Sequence, residues 1–237
     1  MIKKKPIPDA DQGALIRTHS VFWDALHQHQ RFRPQYPNEN VVRFLMVHFK
    51  QALQGRKILK ALDIGVGGGR HLKLLGELGF QSYGVDISAE GLRHCAEWLK
   101  QWHLKPSLFE ASMTKLPFES SFFDAVISFG VFYYGDSRIM TKAIGEVHRV
   151  LKPGGKAFII IRTTDDFRFG KGKQVEPHTF KLSTQKTNEA GTVQHFVSEK
   201  EVKSLFNKFR NLSFEKSEVS FLNRKAVNSD WLITVER

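Results

Sequence analysis

Residues 61–70, Ala61-Leu62-Asp63-Ile64-Gly65-Val66-Gly67-Gly68-Gly69-Arg70, decide how the rest of the chain is read. An apolar run from Ile58 to Ile64 enters a cluster of glycines and leaves into His71-Leu72-Lys73-Leu74-Leu75, whose leucine spacing suits a helix packed on a sheet. The unit is strand, tight turn, helix. Glycines at such a turn permit positive φ, and without a Cβ they let the backbone approach a ligand lying across the helix N-terminus. The turn therefore reads as a nucleotide cradle, with the nucleotide still open.

Spacing narrows the choice. A dinucleotide fingerprint needs G-x-G-x-x-G; Gly65 and Gly67 fit, but the third position falls on Arg70. What stands instead is D-x-G-x-G-x-G, with Asp63, Gly65, Gly67 and Gly69 in step. A carboxylate at the end of the strand can hold an ammonium group, which a pyrophosphate would not reward. A second acid, Asp86, ends the short apolar strand Phe80–Val85, roughly 20 residues past the first glycine as a ribose-binding acid requires. Its alternative role is a helix cap before Ser88.

The pattern resembles motif I of the class I S-adenosylmethionine (SAM) dependent methyltransferases. Further phrases follow in that family's order: Glu110-Ala111-Ser112-Met113-Thr114-Lys115-Leu116-Pro117-Phe118, then Phe122–Ser128 as a fourth strand, then Leu151-Lys152-Pro153-Gly154-Gly155 opening a fifth strand, Ala157 to Ile161. The resemblance covers residues 58 to 161. It implies that the glycine loop faces the methionine half of SAM, that Asp63 helps hold its amino group, and that Ser112 and Met113 flank the adenine. Ile87 and Phe129 complete the implied cofactor set, and S-adenosylhomocysteine is the implied product.

The expected fold is α/β, a Rossmann-like doubly wound sheet of seven mostly parallel strands ending in an antiparallel C-terminal hairpin. Residues 1–55 are expected as an N-terminal helical cap, 56–162 as the SAM-binding core, 163–197 as a substrate-side insert after strand five, and 198–237 as a final helix and edge hairpin. Within the cap, two prolines keep Arg31 to Asn38 extended, and Asn38 can cap a helix from Glu39 to Leu53. Asp136 or Ser137 caps the helix that ends near Leu151, and Ser198 with Glu201 forms a capping box. Strands are expected over Leu212 to Leu222 and Trp231 to Val235, with a polar turn at Asn223 to Asp230.

Bulk composition bounds the function. A chain of 237 residues with 41% hydrophobic content suits one domain with an attached lid. Its single cysteine, Cys95, excludes an intrachain disulfide and fits a reducing cytoplasm. No apolar run reaches the ~18 residues of a membrane span, and no apolar signal core follows the basic start. The net charge of +12 would attract RNA, anionic headgroups or acidic metabolites, but no arginine-rich tract with interleaved aromatics favours nucleic acid. His27 and His29 lack the accompanying carboxylates of a metal site, so no metal is expected.

The acceptor side is less determined. Tyr133 and Tyr134, in the aromatic patch Phe129–Ser137, are the leading substrate contacts, with aromatic packing against the cap as the alternative. Arg162 and Arg168, with Lys171 and Lys173, could bind an anionic group. If the acceptor must lose a proton, Tyr133, His178 and His195 are the candidate bases. Arg33 or Tyr36 could meet the SAM carboxylate, and His71 sits on the first turn after the glycines. The expected activity is methyl transfer to a small-molecule acceptor, mainly by proximity and orientation. The alternatives are an RNA- or protein-directed methyltransferase and a SAM-binding protein without catalysis.

Overall fold

A computed structural model describes residues 2–4, 10–55, 57–183 and 188–237 of the chain. Its centre is β2 (Lys60–Ile64), buried along all but its first residue, flanked by β3 (Gln81–Asp86) and β5 (Phe123–Phe129). Strands covered on both faces tend to near-continuous apolar runs, and β5 comes nearest to one, whereas β3, Gln81-Ser82-Tyr83-Gly84-Val85-Asp86, does not. Outward from β3 lies β4 (Ser107–Glu110), and outward from β5 lies β6 (Leu151–Arg162), all parallel. The hairpin of β10 (Arg210–Phe221) and β11 (Ala226–Glu236) then joins β6 in the antiparallel sense. This is the seven-stranded, mostly parallel sheet expected from the sequence. A two-residue strand, β1 (Lys3–Lys4), adds an eighth, parallel to β4.

Helices close both faces. On one side pack α2 (Glu39–Gln54), α3 (Arg70–Glu77) and α4 (Ala89–Gln101), burying Phe44, Leu72, Leu75 and Leu99 against Ala61, Ala125, Ile127 and Phe158. On the other, α5 (Ser137–Val150) and α6 (Glu199–Leu205) cover Leu62, Ile64, Val126, Ile159 and Ile233. Strand alternation sends Asp63 to the same face as Ala61, beneath α3 and α4. The caps explain where the helices begin. The side chains of Asn38, Ser88 and Asp136 each accept a backbone N–H from the first turn, and Ser198 and Glu201 form a capping box. Asp86 is therefore not the cap of α4, since Ser88 holds that place.

Two segments depart from their expected bounds. The C-terminal reversal occupies 222–225 only, with Leu222, Asn223 and Arg224 at positive φ, and β11 starts at Ala226 instead of Trp231. The polar residues 228–230 read as a turn but belong to the strand, where β10 pairs with all three and the insert holds Asn228 and Ser229. Arg168 donates to Asn228 at 3.1 Å, Thr163 Oγ1 donates to Ser229 Oγ at 2.8 Å, and the Ser229 N–H donates to Asp166 at 3.2 Å. The insert itself is a three-stranded antiparallel sheet, β7 (Gly172–Glu176), β8 (Thr179–Leu182) and β9 (Val193–His195).

Before the core lies α1 (Ala10–His27), followed by a single 3-10 turn, Gln30–Phe32. Where α1 meets α4 the contacts are polar and specific. Ser20 donates to the Ile87 carbonyl at 2.9 Å, and Asp24 accepts both the Ser88 hydroxyl at 2.8 Å and the Glu90 N–H at 3.0 Å.

Candidate cofactor and substrate site

From β2 the chain runs outward through β3 and β4, and then crosses to β5 on the other side of β2. The carboxyl ends of β2 and β5 therefore open a crevice at a topological switch point, where ligands of open α/β sheets bind. A cavity of about 240 Å³ occupies it. Its floor is the glycine loop with Asp86 and Ile87 after β3, Ser112 and Met113 after β4, and Phe129 to Val131 after β5.

The glycines of the loop have distinct tasks. Gly65, Gly67 and Gly69 adopt φ of +81°, +51° and +94°. A Cβ on Gly65 would lie 2.1 Å from Val131, and one on Gly69 would lie 2.6 Å from the Cys95 sulfur. The first glycine thus lets the β5 loop approach, and the last lets α3 pack on α4. A Cβ on Gly67 would meet His27 Nε2 at 3.5 Å, an ordinary contact, and the Gly67 N–H donates to Asp86 Oδ2 at 2.8 Å. The Ser88 N–H donates to Asp86 Oδ1 at 2.9 Å, so the carboxylate ties the loop to the end of β3 while lining the cavity.

Beneath the loop, Asp63 is buried and neither carboxylate oxygen has a hydrogen-bond partner among the described residues. His71 Nδ1 lies 3.9 Å from Asp63 Oδ2; His71 Nε2 accepts the Asn38 N–H at 3.3 Å, which leaves the proton on Nδ1. Burial pushes Asp63 up to about 8, with Arg70 opposing and Asp86 adding to the rise. An unpaired buried carboxylate is costly, and a ligand ammonium removes the cost. Gly67 and Asp86 line the cavity and fit the methionine chain and ribose of SAM, while Asp63 lies buried beneath the lining, under the loop that would take the amino acid end.

A pH dependence follows. The Asp63 carboxyl has its folded value above its ordinary 3.8. In the ligand-free protein its contribution to stability is therefore present at low pH and lost as pH rises towards about 8. A cationic ammonium needs the ionised form, so SAM affinity should climb with pH towards that value, by up to about tenfold per pH unit, and then level off. Calorimetry in buffers of different ionisation enthalpy should detect proton release on binding at neutral pH. Asp63→Asn should abolish the release, and a flat pH profile in the parent protein would contradict the assignment.

Helix α1 supplies a wall that composition and motif spacing did not reveal. Ile16, His19, Trp23 and His27 line the cavity from one face of the helix. The His27 Nδ1–H donates to Ser88 Oγ at 2.9 Å, while Trp23 stacks on His27 at 5.6 Å and meets Tyr134 edge-on at 5.1 Å. Burial lowers both histidines, His19 to about 4, so its ring is neutral at pH 7. Phe32 and Pro34 continue the wall. Their signal in the sequence was the pair of prolines that keeps this segment extended. Arg33 rests on the glycine loop, where a Cβ at Gly68 would come within 2.9 Å of it, whereas Tyr36 is exposed.

Of the acceptor-side candidates, the structure brings only Tyr134 to the cavity. Tyr133 is buried beside it, its ring under the Arg162 guanidinium at 4.1 Å, and burial raises its hydroxyl to about 12. Arg162 and Arg168 converge on Glu189 of the insert at 2.8 and 2.7 Å, and Arg168 also pairs with Asp166 at 2.8 Å. They are spent inside the protein. His178 pairs with Glu201 at 2.8 Å and His195 with Thr179 Oγ1 at 2.7 Å, neither on the cavity wall. Among the described residues no cluster of three or more histidines, cysteines, aspartates or glutamates could hold a metal ion. No described helix is long and apolar enough to cross a membrane.

Comparison with known proteins agrees with this geometry. Residues 62–159 match a family model described as a methyltransferase domain. The chain is 35% identical over 107 residues to a 2-phytyl-1,4-naphtoquinone methyltransferase of Nostoc punctiforme, a match spanning 42% of this chain and 45% of that protein. It is 26% identical over 166 residues to the uncharacterized methyltransferase YdaC of Bacillus subtilis, spanning 69% and 76% of the two chains. Its fold matches the Burkholderia thailandensis 1,6-didemethyltoxoflavin-N1-methyltransferase, solved with 1,6-didemethyltoxoflavin and S-adenosylhomocysteine bound, with a TM-score of 0.65 at 15% identity over 98% of this chain and 92% of that one. Its glycine cradle, its two acids at the ends of β2 and β3 and its strand order thus accompany a match to a methyltransferase domain over residues 62–159.

Proposed function

We infer that the protein transfers the methyl group of SAM to a small-molecule acceptor. The observation that carries this reading is the glycine loop on the cavity floor, its Gly67 N–H bonded to the Asp86 carboxylate, above a buried Asp63 carboxylate that has no hydrogen-bond partner among the described residues. When bound, SAM would supply a methyl on a positively charged sulfonium, open to attack by an acceptor lone pair, with the C–S electron pair leaving on S-adenosylhomocysteine. The chain's own residues bind and orient. Asp63 and the loop take the amino acid end, Asp86 the ribose, and Ile87, Ser112 and Met113 the base, while Phe129 closes the floor. Helix α1 excludes water from above, with Trp23 and His27 over the loop.

No dedicated base is required by this arrangement. Alignment of two bound reactants can supply effective molarities of ~10⁵ M or more. Tyr133, His178 and His195 lie off the cavity wall, which supports catalysis by orientation. The buried free thiol of Cys95 suits a reducing compartment, for which the cytoplasm is our reading.

Calorimetry with SAM, S-adenosylhomocysteine and NAD tests the cofactor, and radiolabelled methyl transfer into a metabolite extract tests the reaction. We expect saturable binding of the first two, none of NAD, and label in a low-molecular-weight fraction. Label confined to RNA or protein would overturn the small-molecule reading, and absent SAM binding would overturn all of it.

A further inference from the structure

The cavity has two chemically different ends, and α1 runs along both. The spacing of Ile16, His19, Trp23 and His27 places them on one stripe, which at about 1.5 Å per residue extends roughly 16 Å. The His27 end sits at Ser88 and Asp86, among the groups that would hold SAM. Towards the Ile16 end, His19 meets Tyr134 edge-on at 6.0 Å and reaches the insert, where the Val193 N–H donates to His19 Nε2 at 3.4 Å.

Among the described residues, no charged side chain lines this far end. The arginines that the sequence offers for an anionic acceptor are neutralised elsewhere: Arg162 by Glu189, and Arg168 by Glu189 and Asp166. The cation that does line the cavity, Arg70, stacks on Phe129 at 4.8 Å, at the cofactor end near Asp63. Nor is the Tyr134 hydroxyl free, because it donates to Glu189. His19 is different. With Nε2 accepting from the backbone, a neutral ring carries its proton on Nδ1, which leaves one N–H donor on a wall otherwise made of Ile16, Trp23, Val131, Tyr134 and Ile139.

We propose that this end is the acceptor subsite and that it takes a flat, uncharged, largely aromatic ring, oriented by one hydrogen bond from His19 Nδ1–H to a carbonyl or ring nitrogen. Its role as an acceptor subsite rests on the methyl-transfer reading. Ring recognition does not. Trp23 and Tyr134, already at right angles to each other, offer a face and an edge to such a ring. A carboxylate or phosphate entering the same space would lose its hydration and meet no compensating cation.

The test uses two nearly isosteric probes, 2-acetylnaphthalene, which is uncharged with one carbonyl, and 2-naphthoate, its anionic counterpart. Binding of each is measured by calorimetry, with and without S-adenosylhomocysteine. The ketone should bind at least about tenfold more tightly than the carboxylate, since the anion pays an uncompensated desolvation. His19→Phe should weaken ketone binding by about threefold to tenfold through loss of one hydrogen bond. Trp23→Ala should weaken it further; circular dichroism verifies that each variant is folded, and His19→Phe stands as the readout if Trp23→Ala does not fold.

Equal or tighter binding of 2-naphthoate would overturn the proposal, as would failure of both probes to bind, or ketone affinity indifferent to folded His19→Phe. Ketone preference that persists while S-adenosylhomocysteine fails to bind would uphold the ring subsite and sink the methyl-transfer reading instead.

Discussion

Asp86→Ala is expected to lower SAM affinity by two orders of magnitude or more, beyond ordinary detection by calorimetry. The carboxylate accepts the N–H of Gly67 at 2.8 Å and of Ser88 at 2.9 Å, and it lines the cavity where we assign the ribose. Hydrogen bonds to a charged group are worth about 1.5–3 kcal/mol each. Losing two to the ribose hydroxyls accounts for the affinity, and releasing Gly67 lets the loop relax out of its positive φ. Asp86→Asn is the informative companion. Its single carbonyl oxygen can keep one of the two backbone bonds, so it should bind SAM more weakly than the parent but better than Asp86→Ala. Parent-like affinity in Asp86→Ala would remove this residue from the cofactor site.

Glu189→Ala should be the most destabilising single change in the insert, by about 3 kcal/mol or more in urea unfolding, because it strands buried guanidinium charge. Glu189 accepts from Arg162 at 2.8 Å and pairs with Arg168 at 2.7 Å, and it also takes the Tyr134 hydroxyl proton bond. The side chains of all three charged residues are at most 12% exposed. Desolvation raises the Glu189 carboxyl, but the two arginines outweigh it and hold the group below its ordinary value. Its contribution is therefore present at neutral pH and lost as pH falls below the ordinary glutamate range. In an Arg162→Met background the Glu189→Ala penalty should shrink, since less charge is left unpaired. A loss under about 1 kcal/mol in the parent would show that other contacts hold the insert to the sheet.

The same network explains why the sequence was a better guide to the cofactor end than to the acceptor end. Asp63, Gly65, Gly67 and Gly69 lie in one turn, where backbone geometry demands particular residues at fixed offsets. Arg162, Arg168 and Glu189 are separated along the chain, and a basic insert reads as available charge until its partner is located. The eight residues from Asn223 to Asp230 looked like a turn for a related reason. Polar side chains are uninformative about strand or loop when a distant segment supplies their hydrogen bonds. The tyrosine pair divides in the same way, with Tyr134 on the cavity and Tyr133 packed beneath Arg162.

Local patterns by themselves determined the doubly wound sheet, the glycine cradle, both acids and the helix caps, because each depends on φ, on side-chain period or on hydrogen bonds within a few residues. Tertiary structure alone decided that His19, Trp23 and His27 face the cavity, that Asp63 is left without a hydrogen-bond partner among the described residues, and that Arg162 and Arg168 are neutralised. Those outcomes are set by contacts between segments far apart in the chain, such as Asp24 with Ser88 and Arg162 with Glu189. Burial and charge pairing across such distances follow from packing, which no window of sequence contains.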